Sequence, residues 1–81
     1  MIHQLKTWPQ YFGEVITGKK TFEVRKEDRK FREGDILLLM EYDPDAQSFT
    51  GRTAHVDVLY ILRGGAFGVE AGYCVMSIRL V

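Results

Sequence analysis

Thr21, Glu23 and Arg25 alternate along one short run, with Lys19 and Lys20 just before it. On an extended chain, side chains two residues apart share a face and stand about 6–7 Å from one another. Such a face sets a carboxylate between cations, favours its charged form and offers donors and acceptors to a nucleobase edge or a phosphate. The run belongs to the segment GKKTFEVRKEDRKFREGD (18–35), in which twelve of eighteen residues are charged although the 81-residue chain has no formal net charge. A solvated strand face carrying exposed ion pairs would give the same composition, and such pairs contribute little to stability.

The elements that must position this run can be read from periodicity. Residues 2–7, IHQLKT, form a short strand, and Thr7-Trp8-Pro9-Gln10 has the form of a capping box with proline in the first turn. Trp8, Phe12, Val15 and Ile16 then fall on one helical stripe, which predicts a helix over about 8–17. Gly18 stands where a left-handed residue ends a helix. Gly13 within the helix costs up to ~1 kcal/mol against alanine, so it is either a point of close packing or a weak spot.

From Thr21 the period becomes two, with Phe22 and Val24 on one face of a half-buried strand and Thr21, Glu23 and Arg25 on the other. REGD (32–35) is a turn, and ILLLMEY (36–42) reads as a central strand covered on both faces. DPDAQSFTG (43–51) is a connection. RTAHVDVLYILR (52–63) is a strand long enough to bend around a barrel, GGAFGVEAG (64–72) is a glycine-rich loop, and YCVMSIRLV (73–81) closes the chain as a last strand. The fold class is therefore α+β, mainly β. A small barrel of about five strands with one N-terminal helix at its side is favoured over an open sheet, because closure removes edges that so short a chain could not protect.

Composition narrows the function classes. Eleven basic residues balance eleven acidic ones, so a nucleic-acid role must rest on a local patch. One cysteine, Cys74, and two histidines, His3 and His55, give no metal-ligand spacing, and neither a metal nor a cofactor is expected. The lone thiol fits a reducing cytoplasmic setting, where Cys74 in its apolar strand serves as a small buried hydrophobe. The first ten residues lack a signal-peptide pattern, and no apolar run approaches the ~20 residues that span a membrane.

Other polar residues have simpler readings. His3 shares a strand face with Leu5 and fits a hydrogen-bonded structural role, with Lys6 solvated opposite. His55 and Asp57 alternate and could pair, but no serine or cysteine accompanies them in a triad. Arg29, Lys30 and Arg32, interleaved with Glu27, Asp28 and Glu33, form a charged loop that either is simply solvated or tracks phosphate.

Gly18-x-Lys20-x-x-Glu23-x-Arg25 resembles in full the G-x-K-x-x-E-x-R signature of the ASCH domains, which are PUA-like β-barrels. The preceding helix, FREGD before an apolar strand and the closing strand near Tyr73 extend the resemblance to the small stand-alone ASCH-like proteins of bacteria and phages, over nearly the whole of 1–81. The resemblance implies a single domain with a cleft between helix and sheet that binds RNA or a nucleotide-like ligand. Lys20 and Arg25 would meet phosphate or base acceptors, Glu23 would accept from a base amine, Thr21 lies on the same face, and Trp8 or Tyr73 would supply a stacking surface.

Some ASCH-like proteins of similar size are amidohydrolases that remove the acetyl group of N4-acetylcytidine. Lys20 matches their lysine, whereas Glu23 stands where they carry a threonine. Thr21 offers a hydroxyl displaced by two residues, and Glu70 could take the place of their catalytic carboxylate. Three readings follow: a module that binds RNA or a nucleotide, a small amidohydrolase, and a protein-interaction module.

Overall fold

The computed structural model describes residues 1–81. Strand β1 (Ile2–Thr7) leads into helix α1 (Pro9–Ile16), followed by β2 (Phe22–Lys26), β3 (Ile36–Asp43), β4 (Ser48–Arg63) and β5 (Tyr73–Leu80). The strands form one sheet in the order β1-β3-β4-β5-β2, with β1 parallel to β3 and the other neighbours antiparallel. The molecule is mainly β with five strands and one helix, as the periodicity predicts, and the sheet curls into a half-barrel.

Bending of β4 makes the half-barrel. Sixteen residues at about 3.3 Å each would extend to roughly 50 Å, yet the longest dimension of the molecule is 35 Å. The strand turns from pairing with β3 to pairing with β5, and register shifts at Met40/Tyr42 and Val58/Tyr60 mark the irregularities that let it curl. It begins at Ser48, inside the segment expected to be a connection, because the preceding turn is tighter: Asp43 accepts from Asp45 N and Ala46 N, leaving Ser48 to pair with Asp43.

Inside the curl, Leu5, Phe12, Val15, Phe31, Leu37, Leu39, Val56, Val58, Ile61, Cys74, Met76 and Ile78 form the core. Phe12 and Val15 are the helix's contribution, whereas Trp8 and Ile16, expected on the same stripe, are substantially exposed. The outer face of β3 is half-buried, so that strand is fully covered on one side only. Gly13 has open space where a Cβ would sit, which makes it a weak spot and not a point of close packing.

The barrel does not close through a ladder between β1 and β2, which are the two edges of the sheet. Arginines bridge that seam. Arg25 Nη2 donates to Lys6 O at 2.8 Å, and Arg29 donates to Gln4 O, so two carbonyls along β1 are capped by guanidinium groups from β2 and the loop after it. That loop is anchored by Phe31, whose side chain is fully buried, with Lys30 just before it in the left-handed region at φ 51°.

Candidate functional site

The two faces of β2 lie opposite to what binary patterning favours. Phe22 and Val24 are exposed, and Glu23 is 3% exposed. A buried carboxylate is costly unless it is paired, and Glu23 is paired twice. Lys20 Nζ donates to Oε1 at 2.7 Å and Arg25 Nε donates to Oε2 at 3.0 Å. The backbone sets up the first of these contacts: Gly18 at φ +81° reverses the chain after the helix, and Lys20 N donates to Glu14 O at 2.9 Å. Lys20 Nζ then also donates to Phe22 O at 2.7 Å and lies 4.8 Å from the centroid of the Phe22 ring.

Across the seam, Arg25 Nη2 reaches Thr7 Oγ1 at 3.3 Å as well as Lys6 O. Thr7 is therefore not the helix cap that its sequence position suggests. Trp8 takes the N-cap position with extended backbone, φ −67° and ψ 150°, and with no side-chain hydrogen bond to the helix. The Thr7 hydroxyl is turned instead toward the ion cluster.

Around this cluster lies a cleft of about 500 Å³ lined by Lys6, Thr7, Trp8, Tyr11, Lys20, Phe22, Glu23, Val24 and Arg25. Its size falls within the range usual for small-molecule sites. Trp8 and Tyr11, near-parallel with ring centroids 6.5 Å apart, form the helix side, and Phe22 and Val24 form the β2 side. The charged groups are contributed by β1, β2 and the turn before β2, and the apolar ones are the side chains that the sheet leaves unburied.

Four of the residues expected from sequence meet here: Trp8, Lys20, Glu23 and Arg25. Thr21 does not line this cleft; it borders a smaller hollow of about 250 Å³ with Val15, Val56 and Arg79. Tyr73 is paired with Lys26 at the start of β5, away from the cleft lining, and Glu70 is exposed in the 64–72 loop. Lys6, Thr7, Tyr11, Phe22 and Val24 are members that sequence reasoning missed, and only the position of Lys6 and Thr7 at the β1–α1 junction offered any signal.

The remaining titratable groups are accounted for elsewhere. His3 is buried with its Nε2 2.8 Å from Asp35 Oδ2, and its ring meets Phe31 edge-on. Burial pushes the Asp35 carboxyl upward, but His3, the Arg32 amide and the Met1 α-amino group outweigh it and hold the group below its ordinary value of 3.8. Asp57 pairs with Arg79 at 3.3 Å and not with His55. Burial raises the Cys74 thiol above its ordinary value, against the opposing charge of Arg63, so it remains a protonated core side chain. No group of three or more His, Cys, Asp or Glu side chains is placed to hold a metal ion, and no helix is long and apolar enough to cross a membrane.

Residues 2–78 match the family model described as "Domain of unknown function (DUF3850)". The chain belongs to that family. Among curated proteins, this DUF3850 chain is 45% identical over 51 residues to an "Uncharacterized 12.9 kDa protein in GpA 3'region" of Escherichia phage P2. The match covers 63% of the chain and 45% of that relative's length. The DUF3850 fold is also similar to the crystal structure of hypothetical protein PH0355, with a TM-score of 0.71 at 18% identity over 100% of both chains. At that identity the likeness is one of fold.

Proposed function

We propose that the cleft binds a nucleotide-like ligand, free or within RNA, and that this DUF3850 chain is an ASCH-like, PUA-type variant of the half-barrel. The observation that carries the reading is the Glu23 carboxylate held between Lys20 and Arg25 inside a cleft flanked by Trp8, Tyr11 and Phe22. A base offers in-plane donors and acceptors together with two π faces. A carboxylate with flanking cations can read the first, and aromatic walls can cover the second. The signature residues Gly18, Lys20, Glu23 and Arg25 support the family assignment, since three of them line the cleft and Gly18 turns the chain into it.

Trp8 is the only tryptophan of the chain and stands at the cleft, so its fluorescence is a built-in reporter. Titration with the four ribonucleoside 5′-monophosphates and with short single-stranded RNAs should change its emission saturably. Lys20→Gln, which removes the cation without setting a second carboxylate against Glu23, should weaken the response about tenfold or more in protein whose far-UV circular dichroism shows it to be folded. A response unchanged in Lys20→Gln would put the ligand elsewhere.

A hydrolytic role in the same cleft is the second reading, favoured by one observation. The buried Thr7 hydroxyl lines the cavity beside Arg25, although Thr21 and Glu70 do not. Release of acetate from N4-acetylcytidine, lost in Thr7→Val, would establish it. Silence toward every nucleotide and RNA would instead favour a protein-interaction module.

A further inference from the structure

Charge in the cleft is unbalanced although the chain as a whole is neutral. Its lining carries three cations, Lys6, Lys20 and Arg25, against one carboxylate, Glu23. Both oxygens of Glu23 are already engaged, one by Lys20 and one by Arg25, so one positive charge of that pair is left over. Arg25 Nη1 makes no hydrogen bond within the protein, since Nε and Nη2 make all of that side chain's contacts.

Lys6 is the second surplus charge. It forms no salt bridge; its ammonium lies 4.4 Å from the centroid of the Tyr42 ring and 5.8 Å from that of Phe49. Aromatic faces attract a cation without neutralising it. Tyr42 and Phe49 stand outside the cleft lining, so the ammonium must swing off these rings on its flexible stem to meet an anion beside Arg25. Its main chain is tied to Arg25, because Lys6 O accepts from Arg25 Nη2. The buried acid on the neighbouring strand, Glu41, register partner of Thr7, is bonded by Thr50 and lies 3.7 Å from Arg52, so its charge is already matched.

We infer that Lys6 and Arg25 form a phosphate subsite at the β1/β2 seam, and that the cleft selects a phosphorylated nucleoside over the free nucleoside. This rests on the nucleotide-binding reading and deepens it. The shared chemistry is a phosphate oxyanion, either the monoester of a free nucleotide or the diester of an RNA strand. An ammonium and a guanidinium donate to either, and a charge-assisted hydrogen bond is strong enough to give about tenfold in affinity.

The test compares binding by isothermal titration calorimetry of each ribonucleoside, its 5′-monophosphate, the matching dinucleoside monophosphate and inorganic phosphate. It uses the wild-type chain, Lys6→Gln and, as a control outside the cleft, Lys19→Gln. The expected result is that a phosphorylated ligand binds about tenfold or more tightly than its nucleoside, with the advantage shrinking in high salt and lost in Lys6→Gln but kept in Lys19→Gln. A larger gain for the monoester indicates a free nucleotide, and for the diester an RNA strand. Equal affinity for nucleoside and nucleotide overturns the phosphate subsite while leaving the base-binding cleft standing. Inorganic phosphate binding as tightly as the nucleotide, and depending on Lys6, supports the subsite and overturns the base-binding reading. No binding by any probe overturns both.

Discussion

Glu23 is the residue on which the candidate site depends, because a carboxylate only 4% exposed at its side chain is held there by two cations. Breaking a buried pair by removing one charge is more costly than the pair is worth, since the remaining charges lose their compensation. Lys20 and Arg25 keep 17% and 25% side-chain exposure, so water offsets part of the loss. Glu23→Gln is expected to lower stability by about 1–3 kcal/mol in urea unfolding. A change below a few tenths would show that the three groups are not coupled.

Asp35 makes a separate prediction about pH. Its carboxyl is depressed in the folded state, so the contribution is complete above the unfolded value and lost as pH falls through the folded one. Stability should drop on acidification below about pH 4, and Asp35→Asn should flatten that limb of the curve while lowering stability at neutral pH. An unchanged acid limb in the variant would assign it to other carboxylates.

At the scale of elements, the strand periods and the glycine-rich breaks made five strands and one helix legible, and the bend of β4 followed from its length. What alternation cannot give is which face of a strand turns inward. On β2 the charged face is the inner one, because Lys20 and Arg25 compensate Glu23 at the open end of the curl. The same limit explains Thr7 and Trp8: a local capping pattern suggested a hydroxyl cap, while a contact to Arg25, eighteen residues on, claimed the hydroxyl.

Two glycines distinguish space from its absence. A Cβ at Gly13 would meet nothing within 4 Å, so Gly13→Ala should gain up to about 1 kcal/mol from helix propensity. At Gly64 a Cβ would come within 1.9 Å of Glu70 O, where Gly64 N also closes the 64–72 loop onto Tyr73 O. Gly64→Ala should therefore cost more than about 2 kcal/mol. Thermal denaturation of the two variants, moving in opposite directions, checks both statements.

For the whole molecule, an unclosed seam and a candidate site are the same feature. Closing β1 onto β2 with backbone hydrogen bonds would have removed the edges, but it would also have removed the space that now lies between Trp8, Phe22 and Arg25. The chain bridges the gap with arginine side chains, so the molecule stays compact at a Cα radius of gyration of 12.5 Å while keeping a cleft at its open side. Four of the nine lining residues were legible in the sequence: Lys20, Glu23 and Arg25 because they are neighbours along the chain, and Trp8 as a candidate stacking surface. Lys6, Thr7 and Tyr11 were not, because it is curling of the sheet that brings β1 and α1 to β2.

The most direct measurement is a backbone amide NMR titration of labelled protein with a ribonucleoside 5′-monophosphate. The account predicts saturable shifts confined to residues 6–11 and 20–25, with the 64–72 loop silent. Shifts clustered in that loop, or spread over the outer face of the sheet with the cleft unmoved, would contradict it.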